Sequence, residues 1–134
     1  MSSYRLEIIT AERKVIETDV ESVLLPTTGG RIGIWANHAP LLTALKIGLV
    51  IFGPKQGKKR KAAVAGGFAE MSNNKLTILA GSAELDEEID ILRAKASRER
   101  AEQRLRDQQA EWKHTRTRIA LEKAINRIHA AADR

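Results

Sequence analysis

All nine glycines and all three prolines of this 134-residue chain lie at or before Gly81. Beyond Gly81 the chain has no glycine or proline to break a helix, whereas the stretch from Pro26 to Gly81 carries all twelve. A chain so divided reads as two units of different secondary structure, with a boundary near residues 82–88. Four of the five aromatics, Tyr4, Trp35, Phe52 and Phe68, also fall in the first unit, leaving Trp112 alone in the second. Charge is likewise concentrated late. Residues 1–86 carry 11 Lys and Arg and 8 Asp and Glu, while the shorter stretch 87–134 carries 12 and 9.

The first unit, residues 1–86, reads as short strands. Partly alternating apolar residues mark strands at 4–9, 15–20 and 22–25. Further strands are expected at 32–35, 47–52, 62–71 and 75–79. Turns fall at Thr28 to Arg31, in the polar hairpin 53–61 and at Asn73-Asn74. Short strands with frequent turn signals indicate an antiparallel sandwich or barrel, and the paired Gly66-Gly67 inside a strand suggests a bulge or a close backbone approach. The second unit, residues 87–134, reads as helix to about Ala131. Asp86 is expected to cap it, with Glu87 and Glu88 favourable at the positive end of the dipole. Ile91, Ala94, Arg98, Ala101 and Leu105 keep helical spacing, as do Thr117, Leu121, Ala124, Ile125 and Ile128. Both stripes are thin. Between them, over 107–115, the apolar period lapses without Gly or Pro. The pattern implies two helices joined by a polar segment, and both a folded hairpin and one long rod are permitted.

Known catalytic patterns are missing. The chain has no cysteine, so disulfides, thiolate metal sites and cysteine nucleophiles are excluded. His38, His114 and His129 have no metal-ligand spacing, and no metal site is expected. Gly53 to Lys59 fails as a phosphate loop: three residues separate its glycines instead of four, and Lys59 stands where Ser or Thr must reach magnesium. No catalytic residue is expected, and the chain is read as no enzyme in itself. No stretch is long and apolar enough for a signal peptide or a membrane span.

Three stretches carry a resemblance. The first runs through Leu25-Pro26, Gly30-Arg31-Ile32-Gly33-Ile34, His38-Ala39-Pro40-Leu41-Leu42-Thr43-Ala44-Leu45 and Gly48. The second is Gly66-Gly67-Phe68-Ala69-Glu70 with Leu76 to Ala80 after it. The third is Ala83-Glu84 with Ile89-Asp90-Ile91-Leu92-Arg93-Ala94. In this order and register, ahead of a tail without breakers, they resemble the epsilon subunits of bacterial F-type ATP synthases. The match covers nearly the whole chain.

The resemblance implies a ten-stranded antiparallel β-sandwich and a C-terminal antiparallel helical hairpin. It also implies a non-catalytic, central-stalk role, bound to the gamma subunit and the c-subunit ring, peripheral to the cytoplasmic face of the bacterial plasma membrane. The sandwich would help transmit proton-driven rotation. The hairpin, when extended, would contact the beta and alpha subunits and restrain ATP hydrolysis. Arg98, Arg104, Arg106, Arg116 and Arg118 would form the basic helix surface for that contact; the alternative is a solvated face with i,i+4 pairs such as Glu102–Arg106. Arg31, Ile34, Trp35 and His38 would face the c ring, although Arg31 stands where the family usually has an acid, and Trp35-Ala36-Asn37 replaces Leu-Pro-Gly.

The stretch Ile89 to Ala94 is similar to the Ile/Leu-Asp-x-x-Arg-Ala motif of epsilon subunits that bind ATP, as in Bacillus-like bacteria. Carried over by position, Glu84, Ile89, Asp90, Arg93, Ala94, Arg100, Lys123 and Arg127 would hold ATP, with or without Mg2+, as a regulatory ligand and not a required cofactor. Lys123 replaces an arginine and so loses the bidentate fork. Without the resemblance, the best alternative is a small β-barrel nucleic-acid-binding module with a basic helical tail. That module needs exposed aromatics interleaved with basic residues; only Tyr4, Trp35, Phe52 and Phe68 are available, and none sits in an RNP-like run.

Overall fold

The structure, a computed structural model, describes residues 2–106 and 111–132, and the side chains of these except 111–114. Among the described residues there are eight strands and two helices. The strands are β1 (Tyr4–Ile9), β2 (Lys14–Val20), β3 (Ser22–Thr27), β4 (Gly30–Trp35), β5 (Leu41–Gly53), β6 (Arg60–Ser72), β7 (Lys75–Ala80) and β8 (Ala83–Leu85). A single 3-10 turn, Asp86–Glu88, leads to α1 (Ile91–Arg106) and α2 (Glu111–Ala131). Of the polar joint expected at 107–115, residues 107–110 lie outside the described residues. No helix among the described residues is long and apolar enough to cross a membrane.

Hydrogen bonding runs in the order β2-β1-β7-β6-β5-β3-β4, with β8 on β6. All pairings are antiparallel except β1 with β7. The sheet folds over one aliphatic core that includes Leu6, Ile8, Leu25, Ile34, Val50, Phe52, Val64, Met71, Leu76 and Ile78. The buried Tyr4 hydroxyl donates to the Ile34 carbonyl at 2.6 Å, tying β1 to β4 across the fold. Burial raises the Tyr4 phenol above its ordinary range.

Two expectations about strands change. Eight strands stand in place of ten because β5 and β6 each run 13 residues without interruption. β6 pairs with β8 through Ala62–Val64 and with β7 through Gly67–Ser72. β5 also begins at Leu41, not near residue 47, with Leu45 turned inward and Leu42 outward.

The handover on β6 falls at Gly66 and Gly67, which hold φ of +75° and +117°. At Gly67 a Cβ would sit 2.0 Å from the Leu79 carbonyl oxygen. Only glycine supplies both the positive φ and the missing atom.

The helix begins later than the sequence suggests. Asp86 is buried, and its carboxylate accepts the Lys61 and Glu87 amides at 3.2 and 2.9 Å. It serves the sheet edge and the 3-10 turn. Asp90 is the cap of α1, accepting the Arg93 amide on Oδ1 at 3.1 Å, while its carbonyl accepts the Ala94 amide at 3.0 Å.

The helices lie folded on the sandwich. Ala94 and Ala101 of α1 and Thr117 and Ala124 of α2 are buried where the helices meet. A satellite cluster of Ala63, Ile89, Ala130 and Ala131, with Leu49 and Ile91 beside it, joins the end of α2 to β5, β6 and the entry to α1. One polar group fixes the register. The Asn126 amide donates to the carbonyls of Gly48 at 2.7 Å and Val64 at 3.4 Å, a facing pair on β5 and β6. Lys61 Nζ reaches the Ala132 carbonyl at the end of α2.

These contacts predict two separable effects. Asn126→Leu strips two backbone carbonyls of a donor, a loss of about 1–3 kcal/mol. Hydrogen exchange of α2 amides should accelerate while β6 and β7 amides stay protected. Gly67→Ala should instead destabilise the sandwich itself by at least about 2 kcal/mol, read as a lower denaturant midpoint.

Candidate functional site

Where β8, the 3-10 turn, α1 and α2 converge there is a cleft of about 440 Å³, a size ordinary for small-molecule sites. It is lined by Glu84, Glu88, Ile89, Asp90, Arg93, Ala94, Ser97, Arg100 and Arg127. Each element contributes for a local reason. Glu84 projects from the middle of the three-residue β8, between inward-facing Ala83 and Leu85. Arg93, Ser97 and Arg100 keep i, i+4, i+7 spacing and therefore share one face of α1. The Asp90 cap starts that face at the positive end of the helix dipole. Arg127 comes from α2 and reaches the cleft only because Asn126, beside it, is pinned to the sheet.

The charges are arranged unevenly. Arg127 Nε donates to Glu84 Oε1 at 2.6 Å, a partly buried pair joining α2 to β8. Glu88 is held from outside by Arg13, whose two terminal nitrogens reach the two carboxylate oxygens at 3.2 and 2.6 Å. That hydrogen bonding holds the Glu88 carboxyl below the usual range. The Asp90 carboxylate accepts the Arg93 amide. Arg93 and Arg100 line the same cleft, and neither guanidinium is in an ion pair among the described residues. Ile89 and Ala94 supply an apolar floor; the Ile89 side chain is only 2% exposed, committed to the satellite cluster. The site therefore offers two unpaired cationic forks, a third shared with a carboxylate, and a small apolar surface. Such a set suits a polyanion with an apolar or aromatic portion. Among the described residues, no group of His, Asp and Glu is arranged to hold a metal ion.

Seven of the eight positions carried over for ATP line this one cleft. Lys123 does not. One helical turn from Arg127, it lines a narrow neighbouring crevice with Ser82, Glu84, Asn126 and Arg127. Glu88 and Ser97 also line the cleft, and neither is among the residues expected there from sequence. Ser97 could have been found from its place between Arg93 and Arg100. Glu88 gave no signal, because its partner Arg13 is 75 residues away.

The positions carried over for the c ring divide. Arg31 and Trp35 are exposed, and the Trp35 ring lies over Gly33, where a Cβ would meet it at 2.6 Å. His38 is half-buried, with Nδ1 2.8 Å from the Ala39 carbonyl. Ile34 must be withdrawn as a surface contact. It is fully buried, because alternation along β4 turns Ile34 inward and Trp35 outward. On the helices, Arg98, Arg104, Arg106, Arg116 and Arg118 are all exposed. The pairing there differs from the expected Glu102–Arg106 pair: Glu102 is taken by Arg98 at 2.8 Å, and Arg106 donates to Gln103 at 3.0 Å. A further surface feature was not expected. Leu42, Phe68 and Leu79 are exposed on adjacent strands, with Phe68 facing Ala44 on β5 and Leu79 on β7.

Known proteins share this fold. Residues 3–86 match the family described as "ATP synthase, Delta/Epsilon chain, beta-sandwich domain", and residues 87–132 match "ATP synthase, Delta/Epsilon chain, long alpha-helix domain". The ATP synthase epsilon chain of Desulforamulus reducens is 46% identical over 127 residues, covering 95% of this chain and 96% of that one. That of Pelotomaculum thermopropionicum is 50% identical over 101 residues, covering 75% of each. Among solved structures, a chain of the Euglena gracilis mitochondrial ATP synthase, in an OSCP/F1/c-ring assembly, aligns with a TM-score of 0.80 at 23% identity. The alignment covers 98% of this chain and 82% of that one, a likeness of fold. Two family matches that together span nearly the whole chain, and a relative 46% identical over 95% of it, agree with the sandwich and paired helices seen here: the chain belongs to the ATP synthase delta/epsilon family, among the epsilon chains.

Proposed function

We propose that this chain acts as the regulatory epsilon subunit of a bacterial F-type ATP synthase, a central-stalk component without catalysis of its own. Its C-terminal helices restrain ATP hydrolysis when released, and ATP is the ligand that keeps them folded. The observation carrying this reading is the composition of the cleft. Its walls come from β8, from α1 and from α2, so Glu84, Arg93, Arg100 and Arg127 surround one space only while the hairpin lies on the sandwich. A ligand of that space stabilises the folded hairpin over any state in which α2 leaves it.

In this reading the phosphates engage Arg93 and Arg100, Arg127 shares its fork between phosphate and Glu84, and the base rests on the floor formed by Ile89 and Ala94. Lys123, one turn away, adds charge but no fork. Mg2+ enters, if at all, on the phosphates. Released helices present Arg98, Arg104, Arg106, Arg116 and Arg118 to acidic surfaces of the beta and alpha subunits. The exposed Leu42, Phe68 and Leu79 suit cover by the gamma subunit, because a contiguous apolar strip on a sheet face is a common protein contact. Arg31, Trp35 and His38 remain for the c ring, with Trp35 supplying apolar contact where the family uses an acid at position 31. The chain is then peripheral to the membrane, held at its cytoplasmic face through the complex. The names of its relatives support the stalk role; the cleft supports the nucleotide.

Calorimetric titration of the intact chain with ATP should give saturable heat, weakened at least about tenfold by Arg93→Ala, which removes a charge-assisted fork. Absence of saturable heat, or equal heat from the variant, ends the nucleotide reading. In the assembled synthase, deletion of residues 88–134 should raise ATP hydrolysis; an unchanged rate removes the restraint.

A further inference from the structure

We propose that Arg13, which lies outside the cleft, sets the cleft's affinity for phosphates by holding the Glu88 carboxylate away from the arginines within it. This deepens the nucleotide reading and rests on it.

Arg13 closes the tight turn between β1 and β2. The Thr10 amide donates to the Arg13 carbonyl at 2.9 Å, and the Arg13 amide donates to Thr10 Oγ1 at 3.3 Å. From that fixed base its guanidinium grips both oxygens of Glu88, at 3.2 and 2.6 Å. Two-point contact fixes orientation as well as position. Three carboxylates line the cleft, and each is occupied differently: Glu84 by Arg127, Asp90 by the first turn of α1, and Glu88 by Arg13. Glu88 is the one whose partner comes from outside. Its remaining surroundings are the Leu85 backbone, which supports the carboxylate from the start of the 3-10 turn, and Arg60 at longer range, while Glu84 and Glu12 lie near Arg13. Without Arg13, the carboxylate at the rim is left with Arg60 outside the cleft and, within it, with Arg93 and Arg100, which line the same space. A carboxylate that pairs with them competes directly with phosphate. Arg13 is therefore a positioning residue: it keeps two cationic forks free without touching the ligand.

The test is calorimetry on the intact chain with ATP, and with inorganic triphosphate as a probe of the phosphate subsite alone. Arg13→Gln should weaken both by about fivefold, the scale of a partly exposed charge pair. Adding Glu88→Gln to that variant should restore wild-type binding of both, a rescue that damage to the turn would not permit. Glu88→Gln alone should bind at least as tightly as wild type. The inference is overturned if Arg13→Gln has no effect, if the double variant binds as weakly as Arg13→Gln, or if Glu88→Gln alone weakens binding. A wild-type chain that binds neither ATP nor triphosphate overturns the nucleotide reading instead.

Discussion

The seating of α2 on the β5–β6 face is the contact on which the functional geometry depends, and it is small. Ala130, Ala131, Ala63 and Ile89 bury little more than methyl groups and one isoleucine, worth on the order of a few kcal/mol. Asn126 adds directional bonds to two sheet carbonyls. Small side chains let the helix approach closely, and the amide fixes which residues it presents. With Asn126 pinned to Gly48, the next residue, Arg127, meets Glu84. Slide the helix one turn and Lys123 stands there instead, without a bidentate fork.

In the proposed reading, that modest contact decides how the hairpin responds to a ligand. A ligand present at a hundredfold its dissociation constant contributes about 2.7 kcal/mol to the state it binds, the same order as the apolar contact under α2. In the proposed reading, binding in the cleft shifts the hairpin's equilibrium, and loss of the ligand releases it. The sandwich does not share this sensitivity. Its core is continuous, its pairing unbroken from β2 to β4, and Tyr4 ties β1 to β4 across it. A sandwich with a continuous core beside helices held through a small cluster is the combination that the proposed regulatory role requires.

Much of this is legible in the chain. The end of the glycines and prolines at Gly81 separates strand from helix because those residues set where each kind of backbone can run. Period-two alternation places most strands, and the Gly66-Gly67 pair marks the corner on β6. The misreadings have two causes: a distant partner overrules a local cap, and local alternation overrules a resemblance. Asp86 reads as a helix cap in sequence, yet the Lys61 amide, 25 residues away, recruits it to the sheet edge and leaves the cap to Asp90. Ile34 sits in a surface motif by resemblance, but strand alternation turns it into the core.

For the cleft, the sequence by itself determined which α1 residues share a face, since helical spacing places Arg93 and Arg100 together, and the family motif added Glu84 and Arg127. Only the tertiary structure decided that these positions surround one space, that Lys123 falls outside it, and that Glu88 is held by Arg13 across 75 residues. The physical reason is the range of each interaction. Helical and strand periodicities are set by neighbours along the backbone and can be read there. An ion pair between a β-turn and a 3-10 turn exists only once the sheet has brought them together.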